Sequence, residues 1–163
     1  METYQINNID FAARNQTLKG EILLDQMQRL NELLAPCEPE SKSRVIFNLA
    51  GISKKHQLPS LHLQLEASLP MYCQRCLEVM EVPIKLEFEY VVCAEMPESI
   101  DEVDDVDWVE PSHHMDLVTL IEDELLVALP IAPVHSRDCK QLKLESGERV
   151  NPFSVLKQLK KSD

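Results

Sequence analysis

Three stretches of the chain alternate between apolar and polar residues with a period of two. Val45, Phe47 and Leu49 alternate with Arg44 and Asn48. Leu61, Leu63, Leu65, Ala67 and Leu69 alternate with His62, Gln64, Glu66 and Ser68, and Ile84, Leu86, Phe88, Tyr90 and Val92 alternate with Lys85, Glu87, Glu89 and Val91. This pattern predicts strands with one buried and one wet face, as in an antiparallel sheet. Residues 17–24 read as a further short strand. From Asp25 the period lengthens: Met27, Leu30, Leu33 and Leu34 fall at helical spacing until Pro36 stops the run. A strongly apolar helix is predicted from Met115 to Leu129, started at Ser112 or Asp116 and ended by Pro130, after which Pro133 keeps the chain extended up to His135. Asn151-Pro152 opens a short helix carrying Phe153, Val155, Leu156 and Leu159, with Lys157, Lys160 and Lys161 towards its end. The expected fold is α+β: a mainly antiparallel sheet with a long apolar helix packed on one face and a short C-terminal helix.

At 163 residues and without internal repeats, the chain is expected to form a single domain spanning residues 1–163. Charge changes the functional picture. Sixteen Lys and Arg stand against 28 Asp and Glu, a net charge of −12. A protein that coats a phosphate backbone by charge alone needs the opposite sign. The charge is also segregated: between Lys85 and Arg137 there is no Lys or Arg, while half of the carboxylates lie there. Within that interval residues 95–112 read as an acidic, mobile loop, with Asp101, Glu102, Asp104, Asp105 and Asp107 as candidate contacts for a basic protein surface. No apolar run is long enough to span a bilayer and the N-terminus does not resemble a signal peptide, so a cytoplasmic location is expected. The three glycines, Gly20, Gly51 and Gly147, are too scattered for a Walker or dinucleotide loop.

The candidate chemistry lies with the cysteines. Cys73-Gln74-Arg75-Cys76 has the spacing by which two sulfurs face one metal ion from a tight turn, and His135 and Cys139, with three residues between them, offer a second pair. The resulting expectation is one structural zinc held by Cys73, Cys76, His135 and Cys139. A thiol–disulfide oxidoreductase is the alternative for a CxxC, but that chemistry belongs at a helix N-terminus, and Leu77 to Pro83 read as a return into a strand. His113-His114 with Asp116 lacks the spacing of a zinc protease, and Ser146-Gly147 is no nucleophile elbow. No catalytic residue is therefore assigned. Cys37 and Cys93 read as small apolar side chains.

Three blocks carry a family resemblance: Cys73-Gln74-Arg75-Cys76-Leu77; Met115-Asp116-Leu117-Val118 with the run from Ile121 through Leu129-Pro130-Ile131-Ala132-Pro133-Val134-His135; and Asn151-Pro152-Phe153-Ser154-Val155-Leu156. Together they resemble the YceD family of large ribosomal RNA subunit accumulation proteins, from about residue 5 to the C-terminus. The resemblance implies a non-enzymatic role in synthesis, processing or stability of 23S rRNA, and supplies no catalytic residue. Relatives with a richer cysteine set after the Pro-x-x-Pro segment differ from this chain, which keeps only His135 and Cys139 there. Joined to the charge, the resemblance points to a basic ribosomal protein or a large-subunit precursor particle as partner, with any rRNA contact indirect or local. Direct docking of RNA through Arg14, Lys19, Lys42, Arg44, Lys54 and Lys55, or through the terminal lysines, is the alternative.

Overall fold

The computed structural model describes residues 4–36, 44–55, 58–95, 106–137 and 139. Its centre is a five-stranded sheet in the order β2-β3-β4-β5-β6, formed by β2 (Thr17–Leu23), β3 (Arg44–Lys55), β4 (Leu58–Tyr72), β5 (Val79–Val92) and β6 (Asp107–Val109). The first four pair antiparallel in sequence order, and β6 joins parallel to β5. The three alternating runs are β3, β4 and β5. Their inward set, including Val45, Phe47, Leu49, Leu61, Leu63, Leu65, Leu69 and Tyr90, is almost wholly removed from water. The register places Phe47, Leu65 and Leu86 side by side, so each row of side chains shares one face across the sheet.

Among the described residues, three short helices cover the apolar face: α1 (Asn8–Ala13), α2 (Gln28–Leu33) and α3 (Leu117–Ala128). The expected α+β layout with a long apolar helix is corrected by this. Strands dominate the described residues, and α3 has only 12 residues. The reason lies at both of its ends. Met115–Asp116 is a strand, β7, paired with β1 (Gln5–Ile6), and the Asp116 side chain accepts the Val118 N–H, so the helix begins one residue later. At the other end Leu129 is already extended ahead of Pro130. Nor is α3 apolar all round: it buries the stripe Leu117, Ile121 and Leu125, while Val127 faces outward. The helical run from Asp25 is likewise split into a 3₁₀ turn, Leu24–Gln26, and α2, because the chain turns at Met27 to bury Met27 and Leu30. The expected C-terminal helix lies outside the described residues.

Two polar fasteners hold the helices in place. Glu122, turned inward from α3, accepts from Arg29 Nε (3.0 Å) and Nη2 (2.7 Å) through one oxygen and from the Leu30 backbone N–H (3.1 Å) through the other. Arg29 also reaches Asp123 at 2.7 Å, and these carboxylates raise the guanidinium pKa. Asn8, fully buried in α1, donates to the Glu110 carbonyl at 2.8 Å and accepts from the Ser112 N–H at 2.9 Å, anchoring the end of the acidic interval. Gly51 of β3 lets α1 approach: an added Cβ would press into the Phe11 carbonyl oxygen and stand 2.8 Å from Ala12 Cα. No described helix is long and apolar enough to cross a membrane.

Candidate metal centre and charged segment

The turn between β4 and β5, Cys73 to Glu78, carries the first ligand pair. Its backbone closes locally, with Leu77 N–H bonded to the Cys73 carbonyl (2.8 Å) and Cys73 N–H to that of Glu78 (2.9 Å). Leu77 adopts φ 60° to make the return. The second pair arrives on the segment after α3, which in place of the expected extended run up to His135 bends at Ile131 and Ala132, between Pro130 and Pro133. The Pro133 carbonyl accepts the Gln74 N–H at 2.9 Å, laying one turn against the other.

This contact brings Cys73, Cys76, His135 and Cys139 together, with one ligand atom from each lying within 4.8 Å of all the others. Cys73 Sγ is 3.8 Å from Cys139 Sγ, and Cys76 Sγ is 3.4 Å from His135 Nδ1. Tetrahedral zinc with ordinary Zn–S and Zn–N bonds has S···S edges of about 3.8 Å and S···N edges of about 3.5 Å. The donor chemistry suits such an ion, and these two edges match its spacing.

Arg75, between the two cysteines, completes the arrangement. Its Nε donates to Cys139 Sγ at 2.9 Å, and its Nη2 donates to the carbonyls of His135 (3.2 Å) and Arg137 (2.6 Å). One side chain of the first turn thus holds the backbone of the second. The local field treats the two cysteines of the turn oppositely. Burial works to raise the Cys73 thiol, but the N–H groups of Arg75, His135 and Cys76 outweigh it and bring Cys73 down to about 5. For Cys76 the backbone N–H of Glu78 lowers the pKa, yet burial and the neighbouring Cys139 and Cys73 sulfurs together push it up to about 11. The oxidoreductase expectation needs a helix N-terminus behind the CxxC; here the motif lies in a turn between antiparallel strands. Of the remaining cysteines, Cys93 has its thiol pKa raised by burial, and Cys37 lies outside the described residues.

The acidic interval divides. Asp101, Glu102, Asp104 and Asp105 lie outside the described residues. Asp107 is exposed in β6, inside the stretch expected to be loop. Nearer α3 the carboxylates serve the fold: Asp116 caps, Glu122 and Asp123 hold Arg29, and Glu124 accepts the Tyr90 hydroxyl at 2.7 Å. Burial, followed by that bond, raises the Tyr90 pKa. The local pattern does not reveal these contacts of Glu122, Arg29 and Arg75, since their partners stand tens of residues away. Only the apolar neighbours of Glu122 within a helical stripe hinted at its burial.

Opposite the core, the outer sheet face holds a groove of about 720 Å³ whose lining includes Lys19, Asn48, Gln64, Lys85 and Glu87. Its charges are interleaved: Lys85 meets Glu66 at 2.9 Å, Arg44 meets Glu21 at 2.7 Å, and His62 meets Glu87 at 2.7 Å. The His62 bond, with one from Gln64, lowers the Glu87 pKa. Among the basic residues considered for RNA, Arg14 and Lys19 are exposed and Arg44 is paired, while Lys42 and the terminal lysines lie outside the described residues. Lys54 and Lys55 end β3.

The fold is a strand-dominated domain carrying a cluster of three cysteines and a histidine whose ligand atoms lie close enough to share one metal ion. The chain belongs to the YceD family: the family model described as large ribosomal RNA subunit accumulation protein YceD matches residues 61–160. It is also 26% identical to the large ribosomal RNA subunit accumulation protein YceD of Haemophilus influenzae, over 95% of this chain and 94% of that protein. No solved structure matches the chain. The family places the protein among factors for accumulation of large-subunit ribosomal RNA.

Proposed function

We propose that the chain is a non-enzymatic cytoplasmic factor that supports synthesis, processing or stability of 23S rRNA by holding a basic ribosomal protein, or a precursor particle displaying one. The observation that carries this reading is the segregation of charge: half of the carboxylates fall in a stretch of chain with no Lys or Arg. A net charge of −12 repels free polynucleotide and draws a cationic protein at long range. Among the described residues of the outer sheet face, Arg44 and Lys85 are tied to carboxylates.

In this reading the Cys₃His cluster holds one structural zinc. The ion supplies a cross-link between the β4–β5 turn and the segment after α3, and Arg75 offsets the single negative charge that three thiolates around a divalent ion leave. The test replaces Asp101, Glu102, Asp104, Asp105 and Asp107 together by their amides. The expected result is loss of salt-sensitive retention of basic large-subunit proteins and a defect in large-subunit assembly. Unchanged retention with normal assembly refutes the mechanism, as does tight, partner-free binding of the unaltered chain to an rRNA fragment at physiological ionic strength.

A further inference from the structure

We infer that the tip of the clasp, built around Leu77, Ile131 and Val134, is the surface on which the cationic protein partner docks; this rests on the adaptor reading above and names its contact. Half of the large apolar side chains exposed among the described residues belong to this end: Tyr72, Leu77, Val79, Ile131 and Val134. Ile131 is 101% exposed and Leu77 57% exposed. Apolar exposure gathered in one place, as opposed to scattered singly, marks an interaction site.

Leu77 supplies an independent sign. It holds φ 60°, a conformation that costs a bulky side chain free energy and that glycine adopts without strain. The leucine gains little burial within its own domain in return. A strained, exposed leucine at a turn where glycine would fit is accounted for by a contact outside the chain.

The tip is also pre-organised. Tyr72 and Val79 face each other across the ends of β4 and β5, Gln74 N–H binds the Pro133 carbonyl, and Arg75 binds those of His135 and Arg137. Two prolines fix the backbone on either side of Ile131. Docking here would order little that is not already ordered, which favours affinity. The surrounding charge selects the partner. Glu78 and Glu81 stand exposed beside the apolar residues, whereas Arg75 is engaged within the clasp, which among the described residues leaves Arg137 as the exposed cation of the turn pair. That rim suits a cationic protein surface bearing apolar side chains and disfavours a phosphate backbone.

The experiment places the photoreactive residue p-benzoylphenylalanine at position 131 of the full, metal-loaded chain and irradiates it with RNA-free large-subunit proteins. The expected product is an adduct with a basic ribosomal protein. With that protein purified, Leu77→Gly should weaken Kd about tenfold, the effect of losing one leucine from a buried interface. The same variant should keep its zinc content and melt at the same temperature or higher. Unchanged Kd in Leu77→Gly, adducts confined to a second copy, to RNA or to the chain itself, or a lowered melting temperature overturns the inference. If the acidic-segment variant loses the partner while Leu77→Gly retains it, the adaptor reading stands and this docking surface falls.

Discussion

Replacing Cys139 by alanine should abolish stoichiometric zinc binding and destabilise the chain by about as much as stripping the metal does. The ligand pairs stand 59 to 66 residues apart along the chain. A cross-link closing a loop of that length restricts the unfolded chain by about 4 kcal/mol. Linkage gives the same scale, since free zinc at a thousandfold excess over its Kd adds about 4 kcal/mol to the folded state. For a chain of this size each kcal/mol moves the melting temperature by about 2–4 °C, so chelation should lower it by roughly 8–16 °C. The assay uses reduced protein prepared without a His tag: metal counted by mass spectrometry, melting followed with and without chelator, and cobalt substituted to read thiolate-to-metal charge transfer. The Cys139→Ala chain should melt where the chelated parent does and respond no further to chelator. A parent without stoichiometric zinc, or one whose melting temperature ignores the chelator, would refute the metal-clasp argument.

In the metal-free chain, absorbance at 240 nm should report one thiolate appearing near pH 5, from Cys73, while Cys76 remains a thiol to about pH 11. Because the folded Cys73 pKa lies below its ordinary value of 9.0, its contribution to stability is complete above pH 9 and is lost as pH falls through 5; denaturant midpoints across that window check the sign. Glu122→Ala removes the acceptor of the buried Leu30 N–H and one partner of Arg29, with an expected cost of about 1–3 kcal/mol in urea unfolding. A change below about 0.5 kcal/mol would mean that the fastener between α2 and α3 carries no net stability. Gly51→Ala forces a methyl group against the α1 backbone and should cost about 1–3 kcal/mol with the zinc content unchanged.

Alternation by itself indicated which residues of β3, β4 and β5 face the core, because a period of two leaves only one face to bury; the exception is Val91, expected on the wet face and wholly buried where it pairs with Trp108 of β6. The Cys-x-x-Cys turn and the His-x₃-Cys pair were likewise legible, since ligand spacing is a local property of the chain. Helix extent was not. The apolar run from Met115 to Leu129 reads as one long helix until β1 captures Met115 and Asp116 into a strand pair, a competitor more than a hundred residues away. Nor did local pattern reveal β6, a three-residue strand with Asp107 at its start that forms only where β5 offers it a parallel edge. The same holds for Glu122, Arg29 and Arg75, whose surface-type side chains are drawn to partners that only folding brings near. Periodicity and ligand spacing act over a few residues and are written in the chain; pairing between distant segments depends on which surfaces meet, and that the tertiary structure decided.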